Sequence, residues 1–244
     1  MKAFFLLEET GELKNILRVV MAERQIFIPI NNKVEVKTIE FTWHPGLSKQ
    51  QKQKSVRSLH EASIEQYNLN NILEVSTKSE LSLGRKLSAF NLKKKINGKM
   101  SDLESVYQGS KVFENGGPYT DLYEEPALFA KKDKRMTESG NLISFKFEDD
   151  AWEIEPQKAF YNWLYIKSLM DSFSDKKSLI NQLSKFDAFT DIEFNHAKSI
   201  NCQAHALACF KLLSETNKFD ILDDRLAFLE MLKSMDNEDQ YSIF

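Results

Sequence analysis

Residues that make tight turns are scarce in this chain, with 8 glycines and 5 prolines among 244 residues. Glycine reaches backbone conformations closed to other residues, and proline presets a turn. A sandwich of many short strands is therefore hard to build from so few of them. The same scarcity argues against long disordered stretches. With 42% hydrophobic and 28% charged residues, the chain has an ordinary globular balance and length enough for a substantial core. Its 18 phenylalanines predict a core rich in aromatic rings.

Hydrophobic periodicity sets the elements. Leu13, Ile16, Leu17 and Val20 recur at helical spacing and predict a short helix within residues 1–22. Arg24–Ile30 and Lys33–Trp43 read as strands flanking Asn31-Asn32. Ser48 is placed to cap a helix running to Tyr67, with Val56, Leu59, His60 and Ile64 on its narrow apolar stripe. Asn71–Thr77 is β-prone, and Lys93–Lys99, around Asn97-Gly98, reads as a basic loop. A helix from Ser101 to Phe113 is stopped by Asn115-Gly116-Gly117-Pro118. Residues 124–140 are polar and irregular, whereas Asn141–Phe147 alternates as a strand. Further helices are expected over Pro156–Phe173, Lys177–Phe186, Ser199–Leu213 and Ile221–Met235. The sum is an α+β fold, a predominantly helical single domain with a small antiparallel sheet.

Several classes of protein are disfavoured. Cys202 and Cys209 stand seven apart in a helical pattern, where they pack on one face as small hydrophobes. Two cysteines are too few for a disulfide framework or a zinc site, and His44, His60, His196 and His205 are isolated, so no metal and no cofactor are expected. No stretch approaches the roughly 20 apolar residues of a membrane span, and Ala3–Leu7 is too short for a secretory signal. The chain reads as a reduced, cytoplasmic protein without a membrane partner. Its charge is uneven: residues 41–136 hold 16 Lys and Arg against 11 Asp and Glu, and residues 137–244 hold 11 against 19. A basic middle suits a polyanionic ligand, with Arg85, Lys86 and Lys93–Lys95 as phosphate contacts; solvated lysines on an exposed loop fit it equally.

The most informative stretch is Leu103–Phe113. At about 100° per residue, Glu104 and Lys111 stand about 20° apart around a helix, with Gln108 about a turn from each. A carboxylate, an amide and an ammonium share one line. In a pocket that line can donate a proton, accept one and attack a carbonyl. On a surface it is a solvated polar stripe.

Four segments in order carry a family resemblance. Glu104-x-x-x-Gln108-x-x-Lys111, with Tyr107 and Phe113, resembles the E-x-x-[FY]-Q-x-x-K-F helix of the NADAR/YbiA-like N-glycosidases, with Val112 inserted before Phe113. Leu87-Ser88-Ala89-Phe90 resembles the L-S-N-F turn before that helix, with Ala89 in place of asparagine. Trp163-Leu164-Tyr165-Ile166-Lys167 resembles the W-x-x-[VI]-K helix, and Lys198–Ala204 faintly follows K-N-x-L-G, with Asn201 retained. A closer similarity is to the variant of this group found beside DarT-type toxins, carried by Phe41–Gly46, Gly109–Phe113 with Gly116–Leu122, and Phe189–Asn195 leading into Ser199–Ala204.

The resemblance implies a catalytic domain over residues 23–244, with residues 1–22 as an N-terminal extension. It implies an antitoxin that removes ADP-ribose from guanine in DNA modified by a DarT-type DNA ADP-ribosyltransferase. The alternatives are cleavage of a small phosphoribosyl-amine or ADP-ribose derivative, and a toxin-binding antitoxin without catalysis. The implied partners are therefore ADP-ribosylated DNA or nucleotide and a DarT-type toxin. By the same resemblance Glu104 is the acid/base and Lys111 the amine that forms an imine with the opened ribose. Tyr107, Gln108 and Trp163 follow from the motifs. Ser88, Phe90 and Asn91 belong near the ribose or base, Ser199 and Asn201 at the diphosphate, and Asp191 and Glu193 are candidate second carboxylates.

Overall fold

The architecture grows from one long hairpin. In the computed structural model, which describes residues 2–5, 18–156, 158–197 and 201–235, β1 (Lys2–Phe5) lies against β2 (Arg18–Ile30), and β2 turns at Asn31-Asn32 into β3 (Lys33–Trp43). Both turn asparagines have positive φ, 52° and 61°, a region Asn tolerates and a two-residue hairpin requires. The strand β2 begins six residues before the start expected at Arg24. Val20 pairs with Trp43 on one side and Ala3 on the other, so ladder bonds on both edges override the helical spacing expected there. Leu13, Ile16 and Leu17, the rest of that expected helix, lie outside the described residues.

A helix, α1 (Lys49–Tyr67), follows with Ser48 as its cap, the Ser48 hydroxyl accepting from the Gln51 amide at 3.3 Å. Beyond it come β4 (Ile72–Glu74), the short α2 (Ser82–Lys86) and a hairpin of β5 (Lys93–Ile96) and β6 (Lys99–Asp102). The expected basic loop is thus a hairpin, because Asn97 and Gly98, at φ 49° and 81°, supply the turn that joins two antiparallel strands.

The expected helix over 101–113 is shorter. It runs as α3 (Leu103–Gly109), and β7 (Lys111–Phe113) begins directly after it. The cause is packing. A Cβ on Gly109 would meet the Tyr119 carbonyl oxygen and the Tyr123 ring at 2.7 Å, and the Ser110 carbonyl accepts from the Lys146 amide instead of continuing a helix. The irregular stretch 124–140 contains two short helices, α4 (Ala127–Lys132) and α5 (Arg135–Glu138). Then β8 (Leu142–Phe147) and β9 (Asp150–Glu153) join β7 in a second sheet.

The remaining elements are α6 (Ala159–Ser172), α7 (Lys176–Leu183), β10 (Ala188–Thr190), α8 (Gln203–Thr216) and α9 (Arg225–Met235). In the main sheet β10 pairs antiparallel with β2 through Phe27 and Ile26, and parallel with β4. That single parallel pair makes the sheet mixed, since β4 and β10 are joined by a long helical connection rather than a turn.

Strand alternation separates two cores. Ile26 and Ile28 of β2 pack with Ile39, Phe41, Val56 and Leu59 beneath α1, and Phe27 faces the larger core around α6 and α8. That core is aromatic, as the phenylalanine count predicts: Phe160 stacks on Trp163, Trp152 is tilted against both, and Phe147 and Phe228 lie against the tryptophans. Among the described residues no helix is long and apolar enough to cross a membrane.

Candidate active site

The loop after β10, the start of α8 and the helix α3 converge on a cleft of about 350 Å³. Glu104, Tyr107, Gln108, Lys111, Phe90, Asp191, Glu193 and Asn201, all singled out from the sequence, line it together with Tyr161, Gln203 and Lys131.

The Gln108 amide donates to Glu104 Oε1 at 2.7 Å, and its own oxygen accepts from Lys111 Nζ at 2.7 Å. The row expected on one helix therefore exists across the junction of α3 and β7, with Gln108 holding carboxylate and amine apart. Burial pushes the Lys111 ammonium below its ordinary range, an effect that Glu104 opposes and Lys131 reinforces. Lys111 Nζ also stands 5.2 Å from the centre of the Tyr107 ring. Tyr107 is fixed between Phe145, Phe160 and Tyr161, and its hydroxyl accepts from Asn201 Nδ2 at 2.6 Å.

Glu104 is mostly buried, and Lys131 Nζ lies 3.8 Å from its Oε1. Lys131 comes from α4, which α3 holds in place: the Ser105 hydroxyl donates to the Glu125 carbonyl and the Ala127 amide to Asp102. Phe90, 55% exposed, forms the rim with Lys131 5.9 Å from its ring centre. Opposite stands Asp191. Its Oδ2 accepts from Gln203 at 2.8 Å and its Oδ1 from the Glu193 amide at 3.0 Å, while Gln203 Oε1 accepts from the Ala89 amide at 2.7 Å. Gln203 thus ties the turn bearing Phe90 to the loop bearing Asp191. Burial raises the Asp191 carboxyl to about 6.

A model of the DarT1-associated NADAR antitoxins, NADAR-DarT1, matches residues 22–242. The chain belongs to this family. No curated protein matches it. The NADAR-DarT1 match spans the whole cleft, every wall of which comes from within those residues.

Other residues singled out from the sequence of this NADAR-DarT1 member stand elsewhere. Ser88 is fully buried, and its hydroxyl has no partner among the described residues. Asn91 Nδ2 donates to the Arg85 carbonyl at 2.7 Å, and Asn91 borders a separate cavity beneath α2. Trp163 is a core residue, stacked on Phe160 and tilted against Trp152, with its indole N–H donating to the Leu222 carbonyl at 2.9 Å. Turn and helix backbone direct these three side chains away from the cleft, an orientation that motif spacing does not carry. Ser199 lies outside the described residues. The expected phosphate contacts are largely engaged within the protein: Arg85 donates to the Ser79 and Glu80 carbonyls, Lys93 pairs with Asp102 and Lys94 with Asp171.

Lys131, Tyr161 and Gln203 were not assigned from the sequence. Gln203 and Tyr161 sit inside or beside the matched motifs, so motif position was a usable signal for them. Lys131 carried none, because its segment had no periodicity. Among the described residues no cluster of His, Cys, Asp and Glu is arranged to hold a metal.

Proposed function

We propose that the cleft cleaves the N-glycosidic bond between ADP-ribose and guanine in DNA, so that this NADAR-DarT1 antitoxin reverses the modification made by its toxin. The observation that carries the reading is the hydrogen-bonded row Glu104–Gln108–Lys111, which opens into an aromatic-rimmed cavity with a second carboxyl, Asp191, across from it.

Breaking the C1–N bond leaves positive charge on the ribose, and its electron pair departs with the guanine nitrogen. In this reading Glu104 gives that nitrogen a proton. Its Oε1 is held by Gln108, and no donor among the described residues holds its second oxygen. Asp191 supplies negative charge facing the sugar. Lys111, driven towards its neutral form by burial, adds to C1 as the guanine leaves. The C1–O bond of the ring then breaks, the ring oxygen takes up the proton that the nitrogen of the new C1–N bond gives up, and the opened ribose is held as an imine. Water adds to the imine and hydrolyses it, releasing ADP-ribose and restoring the amine. Phe90 at the rim offers a stacking face for a base. The cleft volume suits a ribosyl-base unit rather than a length of strand, so the modified nucleotide enters alone.

The test is incubation with an oligonucleotide carrying ADP-ribosyl-guanine, followed by mass spectrometry of the base and of released ADP-ribose. Restored guanine with the wild type, lost in Glu104→Gln and Lys111→Ala, is the expected result. Full protection of toxin-expressing cells by both variants would instead establish an antitoxin that acts by binding.

A further inference from the structure

Behind the cleft lies a carboxyl group that this mechanism does not use. Glu74, at the end of β4, is 2% exposed and grips the chain on both sides of Asp191. Its Oε2 pairs with the Thr190 hydroxyl at 2.8 Å, and its Oε1 accepts from the Ile192 amide at 2.9 Å. The Ser76 hydroxyl donates to Oε1 at 2.5 Å, and beyond Thr190 the hydroxyl meets His60 Nε2 at 2.8 Å. Thr190 immediately precedes Asp191 and Ile192 immediately follows it, so one side chain fixes where the Asp191 carboxyl points.

The charges around this pair are informative. From α1 comes His60, from β2 Arg24, from the loop Glu193, and around Asp191 stand Tyr161, Tyr165 and Cys202. The Arg24 guanidinium donates to the Ile192 and Glu23 carbonyls rather than to a carboxylate, so its charge acts on Asp191, Glu193 and Glu74 without a direct bond, and Lys52 pairs with Glu193 at 3.2 Å. Among the described residues no cation forms an ion pair with Glu74 or Asp191. Two buried carboxyls without a paired cation cannot both ionise cheaply.

We infer that Glu74 is the positioning residue for Asp191: it holds the one proton the buried pair retains, and so leaves Asp191 as the anion facing the ribose. Burial raises both carboxyls above the ordinary carboxylate range, and the Asp191 charge adds to the rise of Glu74, so the pair retains a proton where exposed carboxyls have lost theirs. The chemistry of the partners allows it: Asp191 receives from the Gln203 amide and the Glu193 N–H, which can only donate, whereas the Thr190 hydroxyl, which donates to Glu74 Oε2 when that carboxyl is ionised, can also accept. A protonated Glu74 donates to the Thr190 oxygen, and the Thr190 hydroxyl then donates to a neutral His60, whose protonation burial depresses to about 4. Glu74→Gln reproduces this pattern, because the amide can donate to Thr190 while its oxygen accepts from Ile192.

The role of Asp191 rests on the glycosidase reading, but the placement of the proton does not. Difference infrared spectroscopy of the full chain between pH 5 and 9 reads the proton directly. A protonated-carboxyl band is expected to persist at pH 7, to disappear towards pH 9, to be absent in Glu74→Gln, and to titrate at lower pH in Asp191→Asn. No such band at pH 7, or a band unchanged in Glu74→Gln, would overturn the inference. With the modified oligonucleotide, Glu74→Gln is expected to keep kcat within about threefold of the wild type and to remove the alkaline limb of the pH profile, whereas Glu74→Ala, which removes the contacts on both sides of Asp191, is expected to lower kcat by roughly 10- to 100-fold with KM little changed. An unchanged kcat in Glu74→Ala, or an alkaline limb retained in Glu74→Gln, would overturn the positioning role. If the band behaves as expected and the wild type leaves the oligonucleotide intact, the proton placement stands and the glycosidase reading fails.

Discussion

Lys111 Nζ and Gln108 Oε1 meet at 2.7 Å although one residue opens a strand and the other belongs to the helix before it. The turn at Ser110 makes this possible. It redirects the backbone into β7, and the long lysine side chain reaches back along α3. The amine is therefore fixed by a sheet, through pairing of Lys111 with Phe145, and oriented by a helix.

Removing the amide tests that arrangement. Gln108→Leu keeps the volume and takes away both hydrogen bonds, leaving Lys111 and Glu104 unheld. Turnover of the modified oligonucleotide is expected to fall by roughly 10- to 100-fold, mainly in kcat. Steady-state kinetics check this, and an unchanged kcat would show that Gln108 orients neither group.

Gly109 carries a stability prediction. An added Cβ meets the Tyr119 carbonyl and the Tyr123 ring at 2.7 Å, and the carbonyl is backbone that cannot swing aside. Gly109→Ala is expected to cost about 1–3 kcal/mol and to displace the start of β7. Urea unfolding measures the first, and loss of borohydride trapping of ADP-ribose on Lys111 reports the second.

Trp163 separates core from chemistry. Trp163→Phe keeps an aromatic ring but leaves the Leu222 carbonyl without its indole donor, at a cost of about 1–3 kcal/mol. The urea midpoint is expected to drop while KM of the folded protein stays within about twofold. A large rise in KM at unchanged stability would return Trp163 to the binding site.

His60 predicts an acid-side transition. Its folded value of about 4 lies below the ordinary 6.5, so its contribution is present above 6.5 and lost as pH falls through 4. Over that window the loss amounts to roughly 3 kcal/mol. Glu74 and Asp191 act with the opposite sign: both are raised, so their contribution is present at low pH and lost as pH rises through about 6 and 8. In His60→Gln, where the amide can still reach Thr190, thermal unfolding between pH 7 and 4 is expected to show a shallower decline than in the wild type.

The limits of sequence reading follow from these particulars. The capped helix α1, the hairpin of β2 and β3, and the helices α6 and α8 were legible, because each depends on periodicity or capping within its own segment, although α8 begins at Gln203 rather than at the Ser199 cap read from the sequence. The Glu104–Gln108–Lys111 grouping was also legible, although the helix drawn to hold it ends at Gly109. A lysine side chain spans the difference between a helix turn and a strand start, so the grouping survives the wrong secondary structure. Ser88, Asn91 and Trp163 show the reverse. Their motif positions were clear, but the direction of a side chain depends on backbone dihedrals and on the neighbours that fill the core.

By itself, the sequence determined the family, the α+β class, an aromatic core and the residues able to do acid–base and amine chemistry. These follow from local pattern and from residue identity. Tertiary structure alone decided that Glu74 stands behind Asp191, that Gln203 joins two loops, and that Lys131 overhangs Glu104. Each of those relations joins residues from separate elements. Burial and charge act through space, and no spacing along the chain records which groups the fold will bring within reach of one another.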